Sequence, residues 1–430
     1  MPIPKTSVNL RAEGLRDTAY DLLLDAIVTG QLEPGSRLYD EELEARFGTT
    51  RSALRGALTE LETQWLVRIV PRRGTFVTDF DLNRGLQAIE VATGVTRRAM
   101  LDAAARLTPE HLAALGLYRS RWLRTPETMR EAIRTQQADG LYDVILEAAG
   151  NSELDRLRGW VLPYIKRTRW HLVVSGAVEP SAVLAAQREN IANVLAGDVA
   201  GAADSLWVNA ATNEALALQA VAEPPKKRGV TLTRDLVADT IERAILDGTL
   251  QPDEPLPETD LMAWLGVSHT PIRQALDELA NRGLVEQQIN RPARVARQDP
   301  ATIRQTFEAY GVLIDVAYRR AMQLDRDGLL AVLRPHHERY TLEPDAPVSE
   351  INAGINIALF EFSGAQVLLE LHNRLASRLD WYLVNDKDPN IRFAARELVA
   401  ATQSAIVAND VEAIDRIVKE AYERRPFLGG

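Results

Sequence analysis

The sequence predicts a mostly α-helical chain in which a winged helix-turn-helix with a small β-hairpin wing, followed by an all-helical bundle, occurs twice as a pseudo-symmetric tandem repeat. Three observations carry this. The segment Ala26-Ile27-Val28-Thr29-Gly30-Gln31-Leu32-Glu33-Pro34 returns 218 residues later as Ala244-Ile245-Leu246-Asp247-Gly248-Thr249-Leu250-Gln251-Pro252. Without a gap, Leu38 then matches Leu256, Leu43 matches Leu261, Gly48 matches Gly266 and Arg55 matches Arg273. Self-similarity at one fixed offset is the mark of a duplication. The rest of each half carries helical spacing with short polar breaks and no strand alternation. A length of 430 residues suits two to four domains.

In the first copy, Leu15, Ala19, Leu22, Leu23, Ala26 and Ile27 recur at helical spacing, and Gly30 ends the run. After the Pro34-Gly35 turn, Asp40 is placed to cap a short helix running through Arg46. Gly48 permits a tight turn. Thr49 or Thr50 then caps a third helix with Leu54, Ala57, Leu58 and Leu61 on its inner face. Two helices joined by a short glycine-containing turn form a helix-turn-helix. Val67–Val70 and Thr75–Val77 flank Pro71-Arg72-Arg73-Gly74, which reads as the hairpin wing.

A recognition helix enters the DNA major groove with its opening turns. Thr50, Arg51, Ser52 and Arg55 occupy those turns, and Arg51 and Arg55 lie four apart, on one face. Arginine grips guanine or phosphate through two donors. Arg72, Arg73 and Gly74 form the wing tip, with the arginines in reach of a phosphate or minor groove. From Arg46 to Arg73 six arginines face two glutamates, while the matching stretch of the second copy nets zero. That local excess matters more than the whole-chain charge of −10.

In the second copy, Val267-Ser268-His269-Thr270-Pro271-Ile272-Arg273-Gln274-Ala275-Leu276 resembles the recognition-helix signature of the GntR family, FadR-like branch. Gly48-Thr49-Thr50-Arg51-Ser52-Ala53-Leu54-Arg55 is a looser version. The resemblance implies a transcription regulator, a repressor, that binds a double-stranded DNA operator and answers to a small-molecule effector held in an FCD-type bundle. Its departures also matter. Ala53 stands where the signature has proline, His269 where it has arginine, and Pro292 where the wing glycine falls in the first copy. Copy one is therefore expected to carry more of the DNA affinity than Ser268, His269, Thr270 and Arg273 of copy two.

The expected domains are a winged helix at 1–79, a bundle at 80–222, a Pro-rich linker at 223–229, a second winged helix at 230–298 and a second bundle at 299–430. Metal-bearing members of the family hold a cation with an Asp/His pair one turn apart and two later histidines. Those positions fall on Asp139, Asp143, Gln187 and Asn209 in copy one, and on Ala353, Ile357, Val399 and Ala421 in copy two. No histidine occupies any of them, so no metal and no cofactor is expected. Asp139, Asp143 and Asn209 remain as effector-pocket candidates, and an organic acid is the expected ligand class.

The chain lacks cysteine, which excludes disulfides and thiolate chemistry. No nucleophile–base pair or phosphate-cradling glycine loop appears, so an enzyme is not expected. No apolar run is long enough to cross a membrane, and Met1–Thr6 is not an apolar leader, so a cytoplasmic protein is expected. FadR-like proteins act as dimers, and a tandem duplication makes that pair within one chain, with a further homodimer open. The rival reading is an effector-binding or interaction scaffold without DNA affinity.

Overall fold

A computed structural model describes residues 10–70, 73–122, 140–177, 180–206, 233–287, 291–343, 346–382 and 389–423. The chain divides into two compact units, Met1–Pro225 and Lys226–Gly430. Arg72, Asp139 and Asn209 lie outside the described residues, as does the expected linker at 223–229.

In the first unit, α1 (Leu10–Val28), α2 (Asp40–Phe47) and α3 (Arg51–Thr63) precede a three-stranded antiparallel sheet. Its strands are β1 (Arg37–Leu38), β2 (Val67–Val70) and β3 (Gly74–Val77), in the order β1-β3-β2. The core forms because the inner stripes of α1 and α3 meet. Leu23, Leu24, Ile27, Leu54, Leu58 and Leu61 are fully enclosed, and Leu66, Val67 and Val77 close the cluster from the sheet. Truncating one such leucine to alanine costs about 2–5 kcal/mol. Gly48, at φ +64, ends α2 in the left-handed region and turns the chain into α3, as Gly266 does at φ +66 in the second unit.

The bundle of this unit contains α4 (Leu82–Ala103), α5 (Pro109–Trp122), α6 (Gly140–Ala149), α7 (Ser152–Val174) and α8 (Pro180–Leu195). α4 packs along both α6 and α7. Tyr164 of α7 enters the winged-helix core, and Trp170 lies against it. One helix therefore belongs to both layers.

The second unit repeats the plan with α9 (Thr233–Leu246), α10 (Glu258–Leu265) and α11 (His269–Asn281). Its strands β4 (Pro255–Leu256), β5 (Val285–Glu286) and β6 (Ala293–Val295) form a sheet of order β4-β6-β5. α12 (Pro300–Leu342) is two helices joined at Asp325, which has extended backbone angles and accepts the Gly328 N–H at 3.0 Å. α13 (Val348–Phe362), α14 (Gln366–Tyr382), α15 (Pro389–Ala408) and α16 (Val411–Glu423) complete the bundle. Trp381 of α14 enters the winged-helix core here. Among the described residues, no helix is long and apolar enough to cross a membrane.

Candidate nucleic-acid interface

The opening of α3 is held by Thr50, whose hydroxyl accepts the Ala53 N–H at 3.3 Å. This satisfies one of the orphan donors of the first turn. Burial of Ala53, Leu54, Ala57 and Leu58 turns the opposite face outward. Ser52 is exposed, and the Arg51 and Arg55 side chains are 61% and 67% exposed.

Asp40 does not cap α2. Tyr39 holds the cap position without a side-chain bond, and Asp40 is the first helical residue. Its carboxylate instead faces the recognition helix, with Oδ2 at 3.5 Å from Arg51 Nε and 3.9 Å from Arg55 Nε. A short acidic side chain at that site is drawn to two cations four residues apart more than to backbone donors that also bond water. Both guanidinium groups are thereby gathered over one spot, still open to solvent.

Arg73 is exposed at the wing, and its N–H bonds the Val70 carbonyl at 3.0 Å to close the turn. Gly74 sits at φ +107, where a side chain is strained. A Cβ there would lie 2.9 Å from Nε of Arg37. Arg37, on β1 opposite Phe76, is thus a further basic residue of the wing. Sequence reasoning missed it because a two-residue strand has no periodicity to read. Its only signal was a lone arginine between a Pro-Gly turn and a helix.

In the second unit, His269, Thr270 and Arg273 are exposed on α11, and Ser268 holds the cap position without a side-chain bond. Oε2 of Glu258, the counterpart of Asp40, contacts Nδ1 of His269, the counterpart of Arg51. The wing differs more. β2 and β3 pair over four residues each, from Val67↔Val77 to Val70↔Gly74. Among the described residues β5 and β6 pair at Val285↔Val295 and Glu286↔Arg294. Pro292 at the Gly74 position has no N–H to donate and cannot take the positive φ. Pro255 replaces Arg37, and Glu286 replaces Arg68.

Of the effector candidates, Asp143 is 62% exposed on its side chain, and its Oδ1 accepts from Arg158 Nη1 at 2.9 Å. Arg158 is buried, as are Arg97, Lys166, Arg167 and Gln187. The Gln187 Oε1 has no hydrogen-bond partner among the described residues. Arg167 donates to the Thr78 carbonyl at 2.8 Å and to its hydroxyl at 3.1 Å. Beside it, the Tyr164 hydroxyl accepts the Asp81 N–H at 3.0 Å. Burial pushes the Tyr164 phenol up and the Arg167 guanidinium down. In the second unit, Ile357 is 40% exposed, while His337 and His372 are buried and bonded to Gln403 and Tyr310. Among the described residues no group of three or more His, Cys, Asp or Glu could hold a metal ion.

Two winged helices, each with an outward-facing opening turn, define a protein of the helix-turn-helix class. The family of bacterial regulatory proteins called gntR matches residues 15–77 and again residues 233–295. Each of the two winged-helix modules thus matches that family, and the bundles lie outside the matched residues. An uncharacterized HTH-type transcriptional regulator of Mycobacterium tuberculosis (strain ATCC 25618 / H37Rv) is 36% identical over 23% of this chain and 39% of its own length. The Glc operon transcriptional activator of Escherichia coli (strain K12) is 44% identical over 15% of this chain and 25% of its own. The Nta operon transcriptional regulator of Aminobacter aminovorans is 33% identical over 26% of this chain and 50% of its own. The chain thus spans half or less of the length of these relatives. A solved GntR structure from Rhodococcus sp. RHA1 has 20% identity, covers 48% of this chain and 99% of its own, and has a TM-score of 0.38.

Proposed function

We propose that the protein is a cytoplasmic transcription repressor whose two winged helices engage unequal half-sites of one operator. The observation that carries this is the exposed basic constellation of the first unit: Arg51 and Arg55 gathered on the opening turns of α3, with Arg73 and Arg37 on the adjoining wing. Guanidinium groups on the first two turns can reach base edges, and those on a hairpin can reach phosphates. The second unit keeps Arg273 and the wing residue Arg291 but has Pro255 in place of Arg37 and Glu286 in place of Arg68, so it contributes less phosphate contact. In this reading a winged helix at 1–79 and a bundle at 80–222 are followed, after the linker at 223–229, by a second winged helix at 230–298 and a second bundle at 299–430.

The effector is a small organic acid bound in the first bundle, where Arg97, Arg158 and Lys166 supply buried cations. Asp143 tethers one of them and would exchange places with the ligand carboxylate. The test is fluorescence anisotropy of the full chain on duplex DNA from upstream of its own gene, across a salt series, with and without organic acids. A steep salt slope and release by one acid are expected. A flat slope would leave the scaffold reading.

A further inference from the structure

The two recognition helices carry the same acid-to-base contact with different chemistry. In the first unit Asp40 faces Arg51; 218 residues on, Glu258 faces His269. A guanidinium is a donor on every edge, so Asp40 orients Arg51 without changing what it can read. A histidine ring is not symmetric in this way. Glu258 is acceptor-only, and its Oε2 is shielded from solvent and accepts no well-formed hydrogen bond among the described residues. His269 Nδ1 is the group placed against it; a bare Nδ1 lone pair would face the carboxylate's own, so the tautomer with the proton on Nδ1 is the one this contact favours. In the singly protonated imidazole the other nitrogen, Nε2, then presents a lone pair. The side chain is 65% exposed at the opening of α11, which leaves that lone pair available.

We infer that Glu258 fixes the hydrogen-bond polarity of His269, so that the second recognition helix reads a base-edge donor where the first reads acceptors. In the major groove the donors are the amino groups of adenine and cytosine, whereas guanine offers only acceptors. The half-site read by α11 therefore carries adenine or cytosine at the position where the half-site of α3 carries guanine. Glu258 is the positioning residue and His269 the reader. Arg273, one turn on, keeps its donors for guanine or phosphate.

This rests on the regulator reading, and one experiment separates the two. The full-length protein is used at about pH 8 to select from a random-sequence duplex library, alongside His269→Ala, His269→Arg, Glu258→Ala and Glu258→Asp. The base pair whose preference disappears in His269→Ala is the one His269 reads. Adenine or cytosine there in the wild type, by about ten-fold over guanine, is expected. His269→Arg is expected to convert that position to guanine, reproducing the Asp40/Arg51 pair. Glu258→Ala frees the ring to adopt either tautomer and flattens the preference. Glu258→Asp, the acid of the first unit, restores it, which a merely structural role for Glu258 would not require. Guanine at the His269 position in the wild type, or a preference unchanged in Glu258→Ala, overturns the inference while leaving the regulator reading intact. Failure of the wild type to enrich any sequence overturns both.

Discussion

Arg51 and Arg55 each reach the same carboxylate oxygen of Asp40, and this sharing makes them a pair rather than two independent surface charges. Exposed ion pairs contribute little to stability, about 0–1 kcal/mol. The value of the contact is in orientation. A side chain pre-set toward the groove loses less rotamer freedom on binding than a free one. Arg55→Ala is therefore expected to weaken duplex binding by about 10- to 100-fold, the 1–3 kcal/mol of a bidentate base contact. Arg273→Ala, on a helix whose wing keeps Arg291 but has Pro255 in place of Arg37 and Glu286 in place of Arg68, is expected to cost clearly less. Anisotropy titrations at one salt concentration compare them, and equal losses would refute the unequal division of labour. Gly74 offers a second test at this scale. With φ +107 and Arg37 Nε within 2.9 Å of any Cβ, Gly74→Val is expected to lose about 1–3 kcal/mol in urea unfolding and to displace Arg37. In the second unit Pro292 stands at this position, and among the described residues the ladder runs from Val285↔Val295 to Glu286↔Arg294.

Helix α7 is the element on which the first unit's two layers depend. Tyr164 and Arg167 sit one turn apart, and together they hold residues Thr78–Asp81, the stretch leading from the wing into α4. Arg167→Ala would remove both donors to the half-buried Thr78 and the cation over the Phe80 ring, at a cost of about 1–3 kcal/mol. Hydrogen exchange of the full chain is expected to show faster exchange in β2, β3 and the following connector, with the α4–α6 contact unaffected. Unchanged exchange there would show that α7 does not couple the layers. The helices themselves were legible in the sequence, because periodic apolar spacing and breakers such as Gly48 are local signals. β1 was not, and neither was the break within α12, where Asp325 acts as an internal cap in an unbroken polar–apolar pattern. The Asp40 contact was also illegible. The sequence shows an acid at a helix start, and only the packing of α2 against α3 brings it to the arginines. The buried cations of the bundle were likewise hidden, since a long helical arginine is solvated more often than enclosed.

At the scale of the whole molecule, duplication has left two units of one plan with different chemistry inside. The first bundle encloses Arg97, Arg158, Lys166 and Arg167; the second encloses Arg378 together with the histidines His337 and His372. Burial pushes both His337 and His372 down to about 4, with the His336 ring adding to the effect on His337. Each folded-state value lies below the unfolded value of about 6.5, so the unfolded chain takes up the proton first. The stability that these neutral rings contribute is whole above pH 6.5 and is lost as pH falls from there toward 4. The depressed carboxylates Asp253, Asp299 and Glu343 act lower, at and below the ordinary carboxylate range, so they do not produce this drop. Scanning calorimetry of the full chain is expected to show one transition, that of the second unit, falling between pH 6.5 and 4 by the equivalent of about 2 kcal/mol per histidine. His337→Gln with His372→Gln keeps polar partners for Gln403 and Tyr310 while removing both titrations. That double variant is expected to start less stable at neutral pH and to lose less on acidification. An acid drop of the same size in the double variant would place the sensitivity elsewhere than in these two buried rings.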